Sequence, residues 1–230
     1  MNSNIMAYGD IHGCYKAAET AVSLAEELKA RAVFLGDYVD RGTSAIKTIN
    51  ILVGAKAIHP NWIFLRGNHE QMLLDLIEGK HHPEDIGQAL DGAMFSYNQS
   101  KESFEEWKAL SGEEQNKITR FLKTTQSFYE TTNYIFVHAI IRDTGERLID
   151  KPEKELLWNY EHRPYWSGKE FIHGHKLCKE IEKINKGVNI NTECGYGGHL
   201  TGLLINMKTS KPITVFSISE CGDLLNEEKY

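Results

Sequence analysis

The sequence predicts an α/β fold in a single domain spanning residues 1–230, with two packed, mixed β-sheets flanked by helices. Three observations carry this expectation. Short apolar runs alternate with helical patterns through residue 78, which is the mark of a parallel sheet with helices packed outside it. A hairpin-like β pattern fills the chain after residue 187. Five of the apolar runs end in a residue able to ligate a metal, and open α/β sheets place ligands at the carboxyl ends of their strands.

The elements follow in order. Residues 4–8 form a first strand running into Gly9-Asp10-Ile11-His12-Gly13. Over 14–31, Ala18, Ala21, Val22, Ala25 and Leu28 make a helical stripe, with Glu26, Glu27, Lys29 and Arg31 on an exposed face. Residues 32–35 form the next strand, leading into Gly36-Asp37-Tyr38-Val39-Asp40-Arg41-Gly42, and Thr43 is the expected N-cap of a helix over 45–56. Residues 63–65 are a third strand before Arg66-Gly67-Asn68-His69-Glu70, and a helix over 70–78 is closed by Gly79. From 81 to about 130 no strand-like run occurs. Phe104, Trp107, Leu110, Ile118, Phe121 and Leu122 recur there at near-helical spacing, which predicts a helical insertion capping the site, its aromatics in the core. Strands at 134–137 and 171–172 lead into His138-Ala139 and His173-Gly174-His175. Residues 188–190, 200–205 and 213–218 read as β, and 220–230 as a frayed polar tail.

Composition narrows the class. At 41% hydrophobic and 25% charged the chain is an ordinary globular protein, and its net charge of −6 argues against nucleic acid as a partner. Cys14, Cys178, Cys194 and Cys221 lie far apart without C-x-x-C, so neither a zinc ribbon nor a redox pair is indicated; their number fits a reducing compartment, and the even count leaves disulfides open. No signal peptide and no bilayer-length apolar run is visible, so a cytoplasmic protein without a membrane partner is expected.

Asp10, His12, Asp37, Asn68, His138 and His175 bring oxygen and imidazole donors and no thiolate. That set suits Mn, Fe, Zn or Mg better than a thiolate zinc site does. Six such residues exceed the needs of one tetrahedral ion and match two divalent metals sharing a carboxylate, with Mn the ion expected first.

Gly9-Asp10-Ile11-His12-Gly13, Gly36 to Gly42 and Gly67-Asn68-His69-Glu70 resemble the three signature motifs of the PPP family of calcineurin-like metallophosphoesterases. His138-Ala139 and Gly174-His175 are similar to its two later metal-binding motifs. The stretches Val188 to Thr192 and Gly197 to Thr201 are similar to its C-terminal strand region. The resemblance implies Asp10 and His12 on a first metal, Asp37 as the bridging carboxylate, and Asn68, His138 and His175 on the second. It implies His69, paired with Asp40, as general acid toward the leaving group, and in-line attack by a hydroxide held between the metals. Arg41 has the fork geometry that binds phosphoryl oxygens. A second phosphate-binding arginine is expected after Leu156-Leu157-Trp158, with Arg163 the candidate and Arg142 its rival.

Other residues are set aside. His81 and His82 read as solvated, His59 as the end of a helix–strand connection, and Tyr38 as packing. His173 is a candidate for supporting a ligand, and His199 and Cys194 lie in a Gly-rich turn. Glu70 is expected to orient the motif backbone. The resemblance leaves two substrate classes: phosphoserine or phosphothreonine in proteins, or a small phosphorylated substrate such as diadenosine tetraphosphate, cut symmetrically. The glutamate after His69 and the lack of an obvious nucleotide-binding extension favour the protein phosphatase. A non-catalytic phosphate-binding module is a third class, but such members lose ligands and none is missing here.

Overall fold

A computed structural model describes residues 4–80, 91–142, 144–160 and 168–230. In chain order, the first half contains β1 (Asn4–Tyr8), α1 (Tyr15–Glu27), β2 (Arg31–Phe34), α2 (Ala45–Ile58), β3 (Ile63–Phe64), α3 (Asn68–Ile77), α4 (Asp91–Lys108) and α5 (Gly112–Lys123). The second half contains β4 (Phe128–Glu130), β5 (Tyr134–Val137), α6 (Glu153–Trp158), β6 (Glu170–His173), β7 (Glu182–Ile184), β8 (Gly187–Asn189), β9 (His199–Asn206), β10 (Lys211–Ser219) and β11 (Leu224–Lys229). A six-stranded sheet has the order β11-β10-β9-β1-β2-β3, and a five-stranded sheet the order β4-β5-β6-β8-β7. β1, β2 and β3 run parallel in the first, and β5, β6 and β8 parallel in the second. Antiparallel strands complete both sheets, so both are mixed.

Side chains of a strand alternate between faces, and β1 shows why its run is apolar throughout. Met6 and Tyr8 face the helical layer, where they pack with Ala17, Ala18, Ala21 and Ala25 of α1 and with Phe34. The small alanines let α1 lie close to the sheet, and Tyr8 donates its hydroxyl to Ala21 O at 2.6 Å. Ile5 and Ala7 face the other way, into a core shared by the two sheets with Val33, Leu35, Phe136, Ile172, Val188 and Leu203. A third core, with Val137, Leu156 and Phe171, covers the outer face of the second sheet. Among the described residues no helix is long and apolar enough to cross a membrane.

Several local expectations need correction. The segment expected to be helical to about residue 130 ends its helices at Lys123 and contributes β4, which pairs with β5 from Phe128↔Val137 to Glu130↔Ile135. Residues 81–90 of that segment lie outside the described residues. The expected polar tail is instead β11, hydrogen-bonded to β10 although every one of its side chains is exposed. With no buried face it carries no apolar alternation, and its backbone pairing with β10 places it. Ser44, not Thr43, caps α2, accepting from Lys47 N. Asn68 and His69 open α3 rather than preceding it.

Candidate active site

The loops after β1, β2, β3, β5, β6 and β8 converge where the parallel strands of both sheets end. Glu70 ties two of these loops together. Its Oε2 accepts from Asp37 N at 2.7 Å and Gly67 N at 2.9 Å, and its Oε1 from Tyr38 N at 2.7 Å and Val39 N at 3.3 Å. The carboxylate is buried, and burial together with the charge of Asp37 raises its pKa to about 7. Gly36 takes φ +109°, and a Cβ there would meet the Gly67 backbone, so only glycine lets the two loops touch. His12, Asp37, Asp40, Arg41 and His175 all adopt left-handed backbone, with φ of 44°, 52°, 71°, 70° and 64°. Non-glycine residues seldom do so, and such strain concentrates at functional sites.

The buried side chains form two groups that share Asp37. His12, Asp37 and His69 make one and Asp37, His138 and His175 the other, with the ligating atoms of each group within 4.8 Å of one another. Asn68 Oδ1 lies 3.0 Å from His138 Nε2. Asp10 accepts from His175 N at 3.1 Å and from Asn191 Nδ2 at 2.6 Å, and its Oδ2 lies 3.9 Å from His12 Nε2. All six expected ligands therefore meet, and Asn191 joins them from the end of β8. Asn191 lies two residues past β8, a strand that itself contains Asn189, so only its place in the Val188 to Thr192 stretch singles it out in the sequence.

Ring hydrogen bonds show what the site fits. Burial and Arg41 hold His12 well below the usual histidine range, and burial lowers His138, so both rings are neutral with one proton each. His12 Nδ1 faces Val39 O at 3.1 Å and His138 Nδ1 faces Leu35 O at 3.1 Å, which places the protons there. The Nε2 lone pair of His138 then points at Asn68 Oδ1 and, at 3.4 Å, at Asp37 Oδ1, with no hydrogen between them. His12 Nε2 likewise faces Asp37 Oδ2 at 3.6 Å, and the Arg41 guanidinium, which can only donate, rests against it. His175 Nε2 is buried and has no hydrogen-bond partner among the described residues. Convergent electron pairs on buried neutral rings and carboxylates are what divalent cations satisfy, and backbone carbonyls fixing the opposite nitrogens are the usual support of ligating histidines. Against the effect of its burial, Asp37 is held below the ordinary carboxylate range by the ring of histidines around it. Asp10 moves the opposite way, raised by burial and by Asp37.

Beside this centre His69 Nδ1 bonds Asp40 Oδ2. Burial pushes the His69 pKa down, but Asp37 and Asp40 outweigh it, and the net shift is upward. Asp40 is itself held by α4: Ser100 Oγ donates to its Oδ2 at 2.6 Å and Ser103 Oγ to its Oδ1. Sequence reasoning missed both serines, which look like ordinary helical residues; only their spacing of three, one helix face, hints at a shared role. Arg41 Nη2 lies 3.2 Å from His69 Nε2. Two aromatic residues also stand here, Tyr196 from the Gly-rich turn and Tyr160 from the stretch after Trp158, where the second phosphate-binding arginine is expected and which Tyr160 could occupy in its stead. Tyr196 lies over the Arg41 guanidinium at 4.2 Å, and Tyr160 lies 4.0 Å from the ring of His175.

The remaining candidates fall elsewhere. Arg163 lies outside the described residues, as do His81 and His82. Arg142 is exposed and lines a groove with Trp158 and Asn159. His59 pairs with Glu26 at 2.7 Å and stacks on Trp62. His173 is buried against Phe171, and burial lowers its pKa to about 4. His199 opens β9, Cys194 Sγ contacts Ile11 O at 3.5 Å, and Tyr38 donates its hydroxyl to Leu65 O at 2.6 Å, a packing role.

The sequence model of the calcineurin-like phosphoesterase family matches residues 3–199. The chain is 27% identical to the asymmetrical bis(5'-nucleosyl)-tetraphosphatase PrpE of Bacillus subtilis, over 86% of this chain and 90% of that protein. A crystal structure provisionally described as a diadenosine tetraphosphatase superposes with a TM-score of 0.66 at 16% identity, covering 94% of this chain and 93% of the other. Similarity to the serine/threonine-protein phosphatase PP2A-like PPG1 of Candida albicans is 40% over 72 residues, 30% of this chain and 17% of that protein.

Proposed function

The chain belongs to the calcineurin-like phosphoesterase family, and we propose that within it this protein is a metal-dependent hydrolase of dinucleoside polyphosphates, cutting a phosphoric anhydride. The observation that carries the hydrolase reading is Asp37, shared between two histidine groups with His69 and Asp40 beside them. For the substrate class, the similarity to a tetraphosphatase runs nearly the length of both chains, whereas the similarity to a protein phosphatase is confined to a short stretch. Glu70 does not discriminate the classes, because its oxygens are engaged by loop amides that either chemistry needs. This ordering reverses the one expected from the sequence. The protein phosphatase remains the second reading, favoured by the 40% identity over 72 residues.

Asp10, His12 and Asp37 would hold one divalent ion and Asp37, Asn68, His138 and His175 the other, with Mn²⁺ proposed first. Such a pair, when bound, neutralises phosphoryl charge and lowers the pKa of coordinated water. The chain supplies the rest. Arg41, whose guanidinium rests against His12 and His69, donates its fork to phosphoryl oxygens. His69 keeps a proton because Asp37 and Asp40 favour its charged form, and gives it from Nε2 to the leaving-group oxygen. Asp40, fixed by Ser100 and Ser103, holds the ring in the tautomer this transfer needs.

Steady-state kinetics with Mn²⁺ on diadenosine tetraphosphate and on a panel of phosphoserine and phosphothreonine peptides test the reading. A higher kcat/KM on the dinucleotide is expected, and the products, ATP with AMP or two ADP, report which anhydride breaks. The opposite ranking transfers the assignment to the protein phosphatase. No turnover of either, with metal bound, leaves a phosphate-binding module.

A further inference from the structure

Tyr196 and Tyr160 stand apart from the rest of the aromatic residues near the site, because they are large rings left 41% and 47% exposed beside an otherwise buried polar centre. Tyr196 is not a loose turn residue. The N–H groups of Gly195 and Gly197, on either side of it, both donate to Glu220 Oε1, at 2.7 and 2.8 Å. This clamp sets the ring against the Arg41 guanidinium at 4.2 Å and edge-on to His12 at 5.9 Å. Tyr160, just past α6, lies 4.0 Å from His175, with Trp158 a further edge-on ring at 6.4 Å. His12 and His175 belong to different groups around Asp37. One exposed ring therefore flanks each half of the centre.

We infer that Tyr196 and Tyr160 are aromatic walls that seat the nucleobases of a substrate whose phosphates lie at the Asp37 centre, and that they set its preference for nucleotides over bare phosphates. The inference rests on the dinucleoside polyphosphate reading above for the substrate class. A flat ring backed by a guanidinium is a good stacking platform, since every base offers a π-face and the cation strengthens the stack. Two walls, one on each side, suit a substrate with a base at each end of a short phosphate chain. A phosphorylated side chain of serine or threonine has no flat group for either wall.

Isothermal titration of the Mn²⁺-loaded protein tests this with two ligands it cannot cleave, the 5'-phosphonate analogue of AMP and the same phosphonate on ribose without the base. The parent is expected to bind the adenine compound roughly 5- to 100-fold more tightly, the worth of one stacked base. Tyr196→Leu with Tyr160→Leu should bring the ratio of the two affinities close to one by weakening the adenine compound more than the base-free one, while Tyr196→Phe and Tyr160→Phe keep the parental ratio. Equal binding of the two ligands by the parent overturns the inference without any variant. A preference that survives in the double Leu variant, or an equal loss for both ligands, also overturns it. Turnover of diadenosine tetraphosphate is a separate readout: a chain that binds adenine through these rings yet cleaves no dinucleotide sinks the dinucleoside polyphosphate reading and leaves the walls standing, and the reverse result does the converse.

Discussion

His69 offers one ring nitrogen to Asp40 and the other to the interior of the site, so replacing it would remove the proposed proton donor without removing a carboxylate. His69→Asn is expected to lower kcat on alkyl phosphates by roughly 10²–10⁴, the usual worth of a positioned acid. The deficit should shrink for nitrophenyl phosphate and for anhydrides, whose leaving groups are weak bases, and bound metal measured by mass spectrometry should stay at the parental level. Equal losses on all substrates would assign the residue to metal binding. His173 makes a different kind of prediction. Burial lowers its pKa from 6.5 to about 4, so between those values the unfolded chain takes a proton there that the folded chain refuses. Its share of the stability is intact above pH 6.5 and is lost as pH falls through that window, at up to ~1.4 kcal/mol per pH unit. Urea melts of the metal-free protein from pH 7 to 4 should show His173→Asn with a pH slope smaller by about one proton, and an unchanged slope would refute this.

At the scale of elements, α4 presents Ser100, Ser103 and Glu106 to the site at a spacing of three. The serines hold Asp40, and Glu106 accepts from Ser44 Oγ at 2.9 Å and Ile46 N at 3.3 Å at the start of α2. Replacing both serines with alanine frees Asp40 and is expected to cut kcat about tenfold or more while KM moves little, since a charged acceptor loses two hydrogen bonds. A loss confined to KM would mean that α4 shapes substrate binding instead. These serines also show why part of the site was illegible in the sequence. Asp10, Asp37, Asn68 and His175 each follow a short apolar run and a glycine, and His138 follows its apolar run directly, so strand ends announce them. Ser100 and Ser103 reach Asp40 from 60 and 63 residues away, and only tertiary packing reveals it. The fold divides the same way. β1, β2, β5, β6 and β9 are buried and apolar enough to read directly. β4 and β7 are three residues long, and β11 buries no side chain, so their pairing is dictated by neighbours rather than by their own pattern.

For the molecule as a whole, the centre gathers Asp10, Asp37, Asp40 and Glu70 in one buried region, and burial, reinforced by the charge of Asp37, raises the pKa of Asp10 and Glu70. Cations that bind the folded chain alone stabilise it, by about 4 kcal/mol at a thousandfold excess over Kd. For a chain of this size that is on the order of 10 °C in Tm. Chelation should therefore lower Tm, Mn²⁺ should restore it, and Asp37→Asn, which strips a carboxylate oxygen from both groups, should blunt the response. An identical rise in the variant would argue against a shared carboxylate. The left-handed backbone at His12, Asp37, Asp40, Arg41 and His175 bears on how such a protein can be altered. Each of these conformations carries strain on the order of 1 kcal/mol that glycine would relieve. A directed-evolution campaign that rewards heat resistance alone would therefore drift toward glycine at these positions, and its most robust survivors would be those that had discarded their chemistry.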